Sequence, residues 1–331
     1  MHKTGVLSDK KQHARHNLIL FLILWIMWFK NLVLLRLSEP FTLDAAALEE
    51  RLKARAFTPC GVLESFSDGW CSPIPLEHAP LVHQGGADLL LCLKREDRIL
   101  PSGAVNEQVQ ERIAEVESRE ARSLRKKERE AVRDAVLQDM MPRAFTQSRR
   151  TYGYLDTHNG WLVVDAASPK KAEDFVAVLR QTLDGFPVRP IASVTPPPSV
   201  MTQWVAGGLA PQDVTLESEC ELKSPEEDGG IVRCRRQDLD APEIGHHIEA
   251  GKEVIKLAFS WNDRFTLVLD EHLTIRRLRF LDTLQEARAE VASEDVAAQF
   301  DADFAIMRLE MAAFIPVLLN WFGGEKLPQA T

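Results

Sequence analysis

Four basic residues, Arg122, Lys126, Arg129 and Arg133, recur at intervals of four, three and four. On a helix that spacing puts them on one stripe, with Arg125 and Lys127 beside it. Like charges so placed repel each other on an isolated helix, so the stripe makes best sense beside a polyanion. The plainer reading is a solvated face neutralised by Glu128, Glu130 and Asp134. Lys170 and Lys171 follow Ser168-Pro169, a pair suited to starting a helix. Cations there oppose the helix dipole unless the free amides and the lysines together hold a phosphate. A third basic group, Arg233, Arg235 and Arg236 with Gln237, closes a strand-like run, and residues 233 and 235 share a face at period two.

Acidic residues offer a different chemistry. Glu219, Glu221 and Lys223 form a Glu-x-Lys pattern with which a metal-dependent nuclease could hold magnesium and activate water, and Asp301 and Asp303 could add ligands. The pattern is common by chance and no Pro-Asp precedes it; both aspartates fall early in a helix, where acids are favoured anyway. His246-His247 with Glu249 suggests a metal only superficially, because adjacent histidines point to different helix faces. Glycine-rich phosphate loops, nucleophile elbows and His-Glu-x-x-His are absent. No catalytic residue, metal or cofactor is expected.

Mixed elements must position these groups. Residues 27–37 read as a buried strand, 43–56 as a helix, and the Pro-, Gly- and Ser-rich stretch 57–83 as loops. Asp88 to Leu93 is a short strand. One long helix is expected over 102–141, bounded by Pro101 and Pro142. Its middle, from Glu117 to Glu130, is nearly devoid of apolar residues and reads as bridging solvent. Strands at 151–156 and 161–165 flank an Asn159-Gly160 turn, and a helix capped by Ser168 follows. Residues 187–198 form a proline-studded connector. Beyond it come strands at 214–222, 231–236, 254–268 and 273–280, a short helix at 242–250, and a closing helix at 295–322 that Pro316 should kink or interrupt. The class is α+β. The expected division is a 1–26 extension, α/β lobes at 27–101 and 145–195 with the 102–141 helix inserted, and a C-terminal α+β lobe at 196–331.

The 331 residues suffice for a substantial core. A composition 45% hydrophobic and 27% charged is that of a globular protein, excluding a disordered, collagen-like or polytopic membrane chain. The net charge of -9 argues against nucleic acid unless positive charge is gathered on one surface. Five cysteines without a Cys-x-x-Cys pair suit reduced thiols. Lys10, Lys11 and Arg15 before the apolar run Leu18 to Phe29 imitate a membrane anchor, but twelve residues fall short of the roughly 20 a spanning helix needs. Met27 opens a run that reads as a domain start, so residues 1–26 are expected to be an upstream read-in. The competing expectation is an N-terminally anchored membrane protein.

From Met27 onward, ordered stretches resemble the recombination-associated RdgC family. They are 27–32 (MWFKNL), 56–61 (AFTPCG), 99–101 (ILP), 142–145 (PRAF), 167–174 (ASPKKAED, departing from the family at Pro169), 227–230 (EDGG), 236–239 (RQDL), 249–252 (EAGK) and 300–304 (FDADF). The resemblance implies an elongated, multi-lobed, horseshoe-like subunit with antiparallel sheets and long helices, closing into a ring as a homodimer. It implies a positively lined hole wide enough for duplex DNA, sequence-blind binding of duplex with single strands left open, a cytoplasmic, nucleoid-associated location, and restraint of RecA-driven strand exchange. By the same resemblance Phe145 belongs to one subunit interface and Arg236 with Gln237 to the other. Arg122, Arg125, Lys126, Arg129, Arg133, Lys170, Lys171, Arg235 and Arg236 are the expected DNA contacts.

Overall fold

The computed structural model describes residues 28–327 except 227, 292 and 294. The apolar run from residue 18 and the proposed start at Met27 therefore lie largely outside the described residues.

A seven-stranded antiparallel sheet is built from β1 (Val33–Leu37), β2 (Phe66–Cys71), β3 (Val82–Gly85), β4 (Asp88–Ile99), β5 (Phe145–Asp156), β6 (Trp161–Val164) and β7 (Val188–Pro190). Its order is β2-β4-β5-β6-β1-β7, and β3 also pairs with β4. Period-two alternation divides its apolar residues between two cores. Val33, Leu35, Leu89, Leu91, Leu155 and Leu162 bury against α1 (Ala45–Lys53) and α4 (Pro169–Leu183), which supply Leu48, Leu52, Phe175 and Leu179. Phe175 sits close on β5 because Gly153 has no side chain; a Cβ there would lie 2.8 Å from the ring.

The other face, with Leu34, Leu90, Cys92, Tyr152, Tyr154 and Val163, joins a core shared with the C-terminal half. That half is a five-stranded antiparallel sheet of β8 (Val214–Lys223), β9 (Ile231–Arg235), β10 (Glu253–Trp261), β11 (Phe265–Asp270) and β12 (Ile275–Phe280), ordered β12-β11-β10-β8-β9. The closing helix α8 (Val296–Trp321) contributes Phe304, Met307, Met311 and Phe314 to this core. Asp295 starts it by accepting the Ala297 N–H at 2.9 Å. Arg308 ties it to Asp88 on β4 at 3.1 Å, and Arg264 ties it to the second sheet through Glu310.

Several expectations are corrected. The 102–141 segment is not one helix but two, α2 (Ser102–Glu120) and α3 (Lys126–Met140). Ala121 turns left-handed at φ 52°, and the chain folds back. Glu117 accepts the Leu124 N–H and Glu128 accepts the Arg125 N–H, both at 2.7 Å, satisfying two of the donors that the turn leaves free. The reversal lets Val105, Val109 and Ile113 meet Leu124 and Val136 in a small core of their own, which a single helix could not form. The polar middle of the segment is the turn.

Strands β2 and β3 occupy the stretch read as loops, and the connector leads into α5 (Pro197–Gly207). Residues 254–268 hold two strands, because Asn262 and Asp263 turn at positive φ. α6 (Pro242–Glu249) lies where expected, whereas α7 (Asp282–Glu290) was not anticipated. Ser168 precedes α4 but its side chain makes no capping bond; Pro169 does the pre-ordering. Pro316 does not interrupt α8. The structure is thus α+β, with two antiparallel sheets and no closed barrel among the described residues.

A candidate nucleic-acid interface

The buried halves of β4 and β5 end at Leu93 and Tyr152, and beyond them the two strands continue as a ribbon toward the α2–α3 hairpin. Residues 145–150 of β5 are all exposed. Antiparallel register places Lys94 opposite Arg150 and Arg95 opposite Arg149, two successive cation rows on opposite faces of the ribbon. Like charges directly opposite each other destabilise a strand pair. Arg95 is answered by Asp97 at 2.8 Å and lies over the Phe66 ring at 3.9 Å. Lys94 lies 4.0 Å above the Phe57 ring, and neither it nor Arg149 or Arg150 has a carboxylate partner among the described residues. Arg98 anchors the base of the hairpin by donating to the carbonyls of Met141 and Ala144.

The residues singled out from sequence scatter around this ribbon. Arg122 lies in the hairpin turn, not on a helical stripe, and pairs with Glu120 and Glu128 at 2.7 Å each. Arg122, then the Arg125 amide, hold the Glu128 carboxyl down to about 2. Arg129 is taken by Glu117 at 3.1 Å. Of the intended stripe, Lys126 and Arg133 remain exposed, as does Arg125 beside it, with no ion pair among the described residues. Lys170 and Lys171 stand exposed in the first turn of α4, and Lys170 lines an open groove bordered by Glu271 and His272.

The third basic group forms a separate cluster on the second sheet. Arg235 approaches Glu219 at 3.7 Å, and Arg277 of β12 reaches the same carboxylate at 2.7 Å. Arg236 and Arg277 both adopt positive φ, near 55° and 51°, and border one depression with Glu217 and Ser218. Gln237 is held by its backbone, donating to the Ser218 carbonyl at 3.3 Å. Phe145, at the end of β5, is 85% exposed beside Ile99, its register partner, which is itself exposed.

The nuclease constellation does not assemble. Glu221 is bound by Arg233 at 3.0 Å and Lys256 at 3.1 Å, so its lone pairs are already engaged by cations. Asp301 faces His83, whereas Asp303 is fully buried against Arg288 at 2.6 Å. Among the described residues no three His, Cys, Asp or Glu side chains gather as a metal site. His246 and His247 join no such group either. Among the same residues no helix is long and apolar enough to cross a membrane.

Sequence reasoning passed over Lys94-Arg95 and Arg149-Arg150. The available signal was a pair of basic dipeptides, each at the exposed end of an otherwise apolar strand.

Comparison with known proteins follows the same residues. The family model described as "Putative exonuclease, RdgC" matches residues 27–325. The "Recombination-associated protein RdgC" of Tolumonas auensis is 44% identical over 300 residues, covering 91% of this chain and 99% of its own. That of Halorhodospira halophila is 44% identical over 302 residues, covering 91% and 100%. That of Aeromonas hydrophila is 41% identical over 300 residues, covering 91% and 99%.

Proposed function

This chain belongs to the RdgC family, and from that premise we propose that it binds DNA without reading sequence and without catalysing a reaction. Two copies close into a ring around the duplex and limit RecA-driven strand exchange by occupying DNA at the nucleoid. The observation that carries the reading is the row of Lys94 and Arg150, neither of which forms an ion pair with a carboxylate among the described residues, in a chain whose net charge is -9. Unanswered cations against the overall sign are what a phosphate backbone would neutralise.

Each phosphate contact releases counterions, so affinity falls with salt in proportion to the number of contacts. Contacts to phosphate position the protein but carry no sequence information. The exposed Phe145 and the Arg236-Gln237 corner supply the two subunit contacts. Ring closure slows release, because DNA must leave by an end or wait for an interface to open.

The exonuclease in the family description finds little support in this chain's acids. Glu219 and Glu221 are each held by two cations, and Asp301 and Asp303 face other partners. A salt series on several unrelated duplexes and single strands, with linear duplex incubated in magnesium alongside, tests both halves. Sequence-blind binding that weakens linearly in log salt, with intact DNA, is the expected result. Absence of binding at low salt overturns the binding half, and degradation lost in Glu221→Ala overturns the non-enzymatic half.

A further inference from the structure

Two pairs of cysteines stand opposite each other across strands: Cys71 with Cys92 on β2 and β4, and Cys220 with Cys234 on β8 and β9. The Cys71 and Cys92 sulfurs are 3.5 Å apart. The backbone around them brings the pair within reach of a covalent link. Trp70 directs its N–H and carbonyl away from β4, to Arg55 and Phe57, so Cys71 turns its own toward β4. Such a hydrogen-bonded antiparallel pair has Cα atoms about 5.5 Å apart, inside the range of about 4.4–6.8 Å that disulfides span. Its Cβ atoms, however, stand near the wide end of about 4.5–5.5 Å. Closing the bond therefore pulls the strands together locally and leaves it easily reduced.

The two sulfurs differ in access. Cys92 is fully buried in the shared core, while Cys71 is only half-buried. The next row on the same face carries Lys94 and Arg150. The hydrogen bond shared with Cys92, with help from Arg150 and Lys94, brings the Cys71 thiol down to about 7. The second pair lacks this setting: Cys220 and Cys234 are both buried, and burial pushes the Cys220 thiol up to about 12. One cross-strand pair is thus arranged to react and the other to stay inert.

We propose that Cys71 and Cys92 form a peroxide-sensitive dithiol that closes reversibly into a cross-strand disulfide, with Cys71 attacking and Cys92 resolving. The Cys71 thiolate attacks one peroxide oxygen; an S–O bond forms, the O–O bond breaks, hydroxide leaves, and the sulfur becomes a sulfenic acid. The Cys92 sulfur then displaces that hydroxyl; the S–S bond forms, the S–O bond breaks, and water leaves with the Cys92 proton. One peroxide and two thiols give one disulfide and two waters. A dithiol reductant reopens the bond by exchange and is itself oxidised to its disulfide.

The test uses the full chain, reduced and then treated with near-stoichiometric hydrogen peroxide, alkylated and mapped by peptide mass spectrometry. The expected product is a linked pair of peptides carrying Cys71 and Cys92, two hydrogens lighter than the free pair and restored by dithiothreitol. Cys220 and Cys234 should remain fully alkylatable after denaturation. In Cys92→Ser the Cys71 sulfenic acid should persist and be trapped by a cyclic 1,3-dione, whereas Cys71→Ser should yield neither product. Oxidation of Cys220 as fast as Cys71, or Cys71 passing to sulfinic acid with no linked peptide in the unsubstituted chain, overturns the proposal. Since the unsubstituted chain decides the main outcome, a variant that misfolds does not rescue it. DNA affinity enters none of these readouts, so the dithiol stands or falls apart from the proposed function.

Discussion

Lys94 and Arg150 face each other across β4 and β5 as register partners, two cations in adjacent positions with no carboxylate partner among the described residues. The β4–β5 pairing tolerates their repulsion because the buried halves of both strands hold the ribbon in place. Replacing both by glutamate should weaken duplex binding at low salt and lower the slope of log affinity against log salt. The slope should fall by about 0.9 for each phosphate contact removed. The same reversal at Arg122, whose charge is already spent on Glu120 and Glu128, should change the slope little. Equal losses at the two places would argue for a general charge effect.

Phe145 is the most exposed large apolar side chain described, at 85%. Truncation to alanine should leave folding stability within about 0.5 kcal/mol, as for an ordinary surface position. If it anchors a subunit contact, self-association should weaken about tenfold, the cost of an anchoring residue of roughly 1.4 kcal/mol. Sedimentation velocity over a dilution series reads this, and residence time on circular DNA should shorten in parallel. Unchanged association removes Phe145 from the interface.

Phe304 packs edge-on to both His83 and Tyr154, and it is fully buried where α8 meets the first sheet. Phe304→Ala should cost about 3–5 kcal/mol, measured as a shift in the urea midpoint, because both the transfer energy and the cavity are lost. A cost below about 1 kcal/mol would mean that α8 does not join the two sheets as described.

Burial draws the Glu221 carboxyl upward, but Lys256 and Arg233 together overcome it and hold the group below the ordinary carboxylate range. A carboxyl depressed in the folded state contributes stability above its unfolded value of about 4.3 and loses it as pH falls through the folded value. Glu221→Gln should therefore be less stable than the parent chain at pH 7. The difference should shrink as pH drops below about 4. Parallel denaturation curves from pH 7 to pH 3 check the sign.

Elements with local signals were legible. The Asn159-Gly160 turn, the helix begun by Pro169 and the closing helix with Phe304, Met307, Met311 and Phe314 all follow from spacing and turn chemistry within a few residues. Strands β2 and β3 were not legible: a segment such as FSDGWC lacks alternation and becomes a strand only because β4 offers it an edge. The single long helix failed for a related reason. Nothing local in Glu120-Ala121-Arg122 demands a reversal; the gain comes from Leu124 and Val136 meeting Val105, Val109 and Ile113 across it.

Sequence alone determined family membership, because many short motifs in order need no geometry to be recognised. It also determined the mixed class and the lack of familiar catalytic motifs. Tertiary structure decided which charges are free. Register joins Lys94-Arg95 to Arg149-Arg150 across more than fifty intervening residues, and the same pairing sets Cys71 against Cys92. The hairpin turn takes Arg122 and Arg129 out of play, and the second sheet takes Glu221, by giving each a counter-ion. Charge and reactivity depend on neighbours within a few ångströms, and in antiparallel sheets those neighbours come from distant parts of the chain.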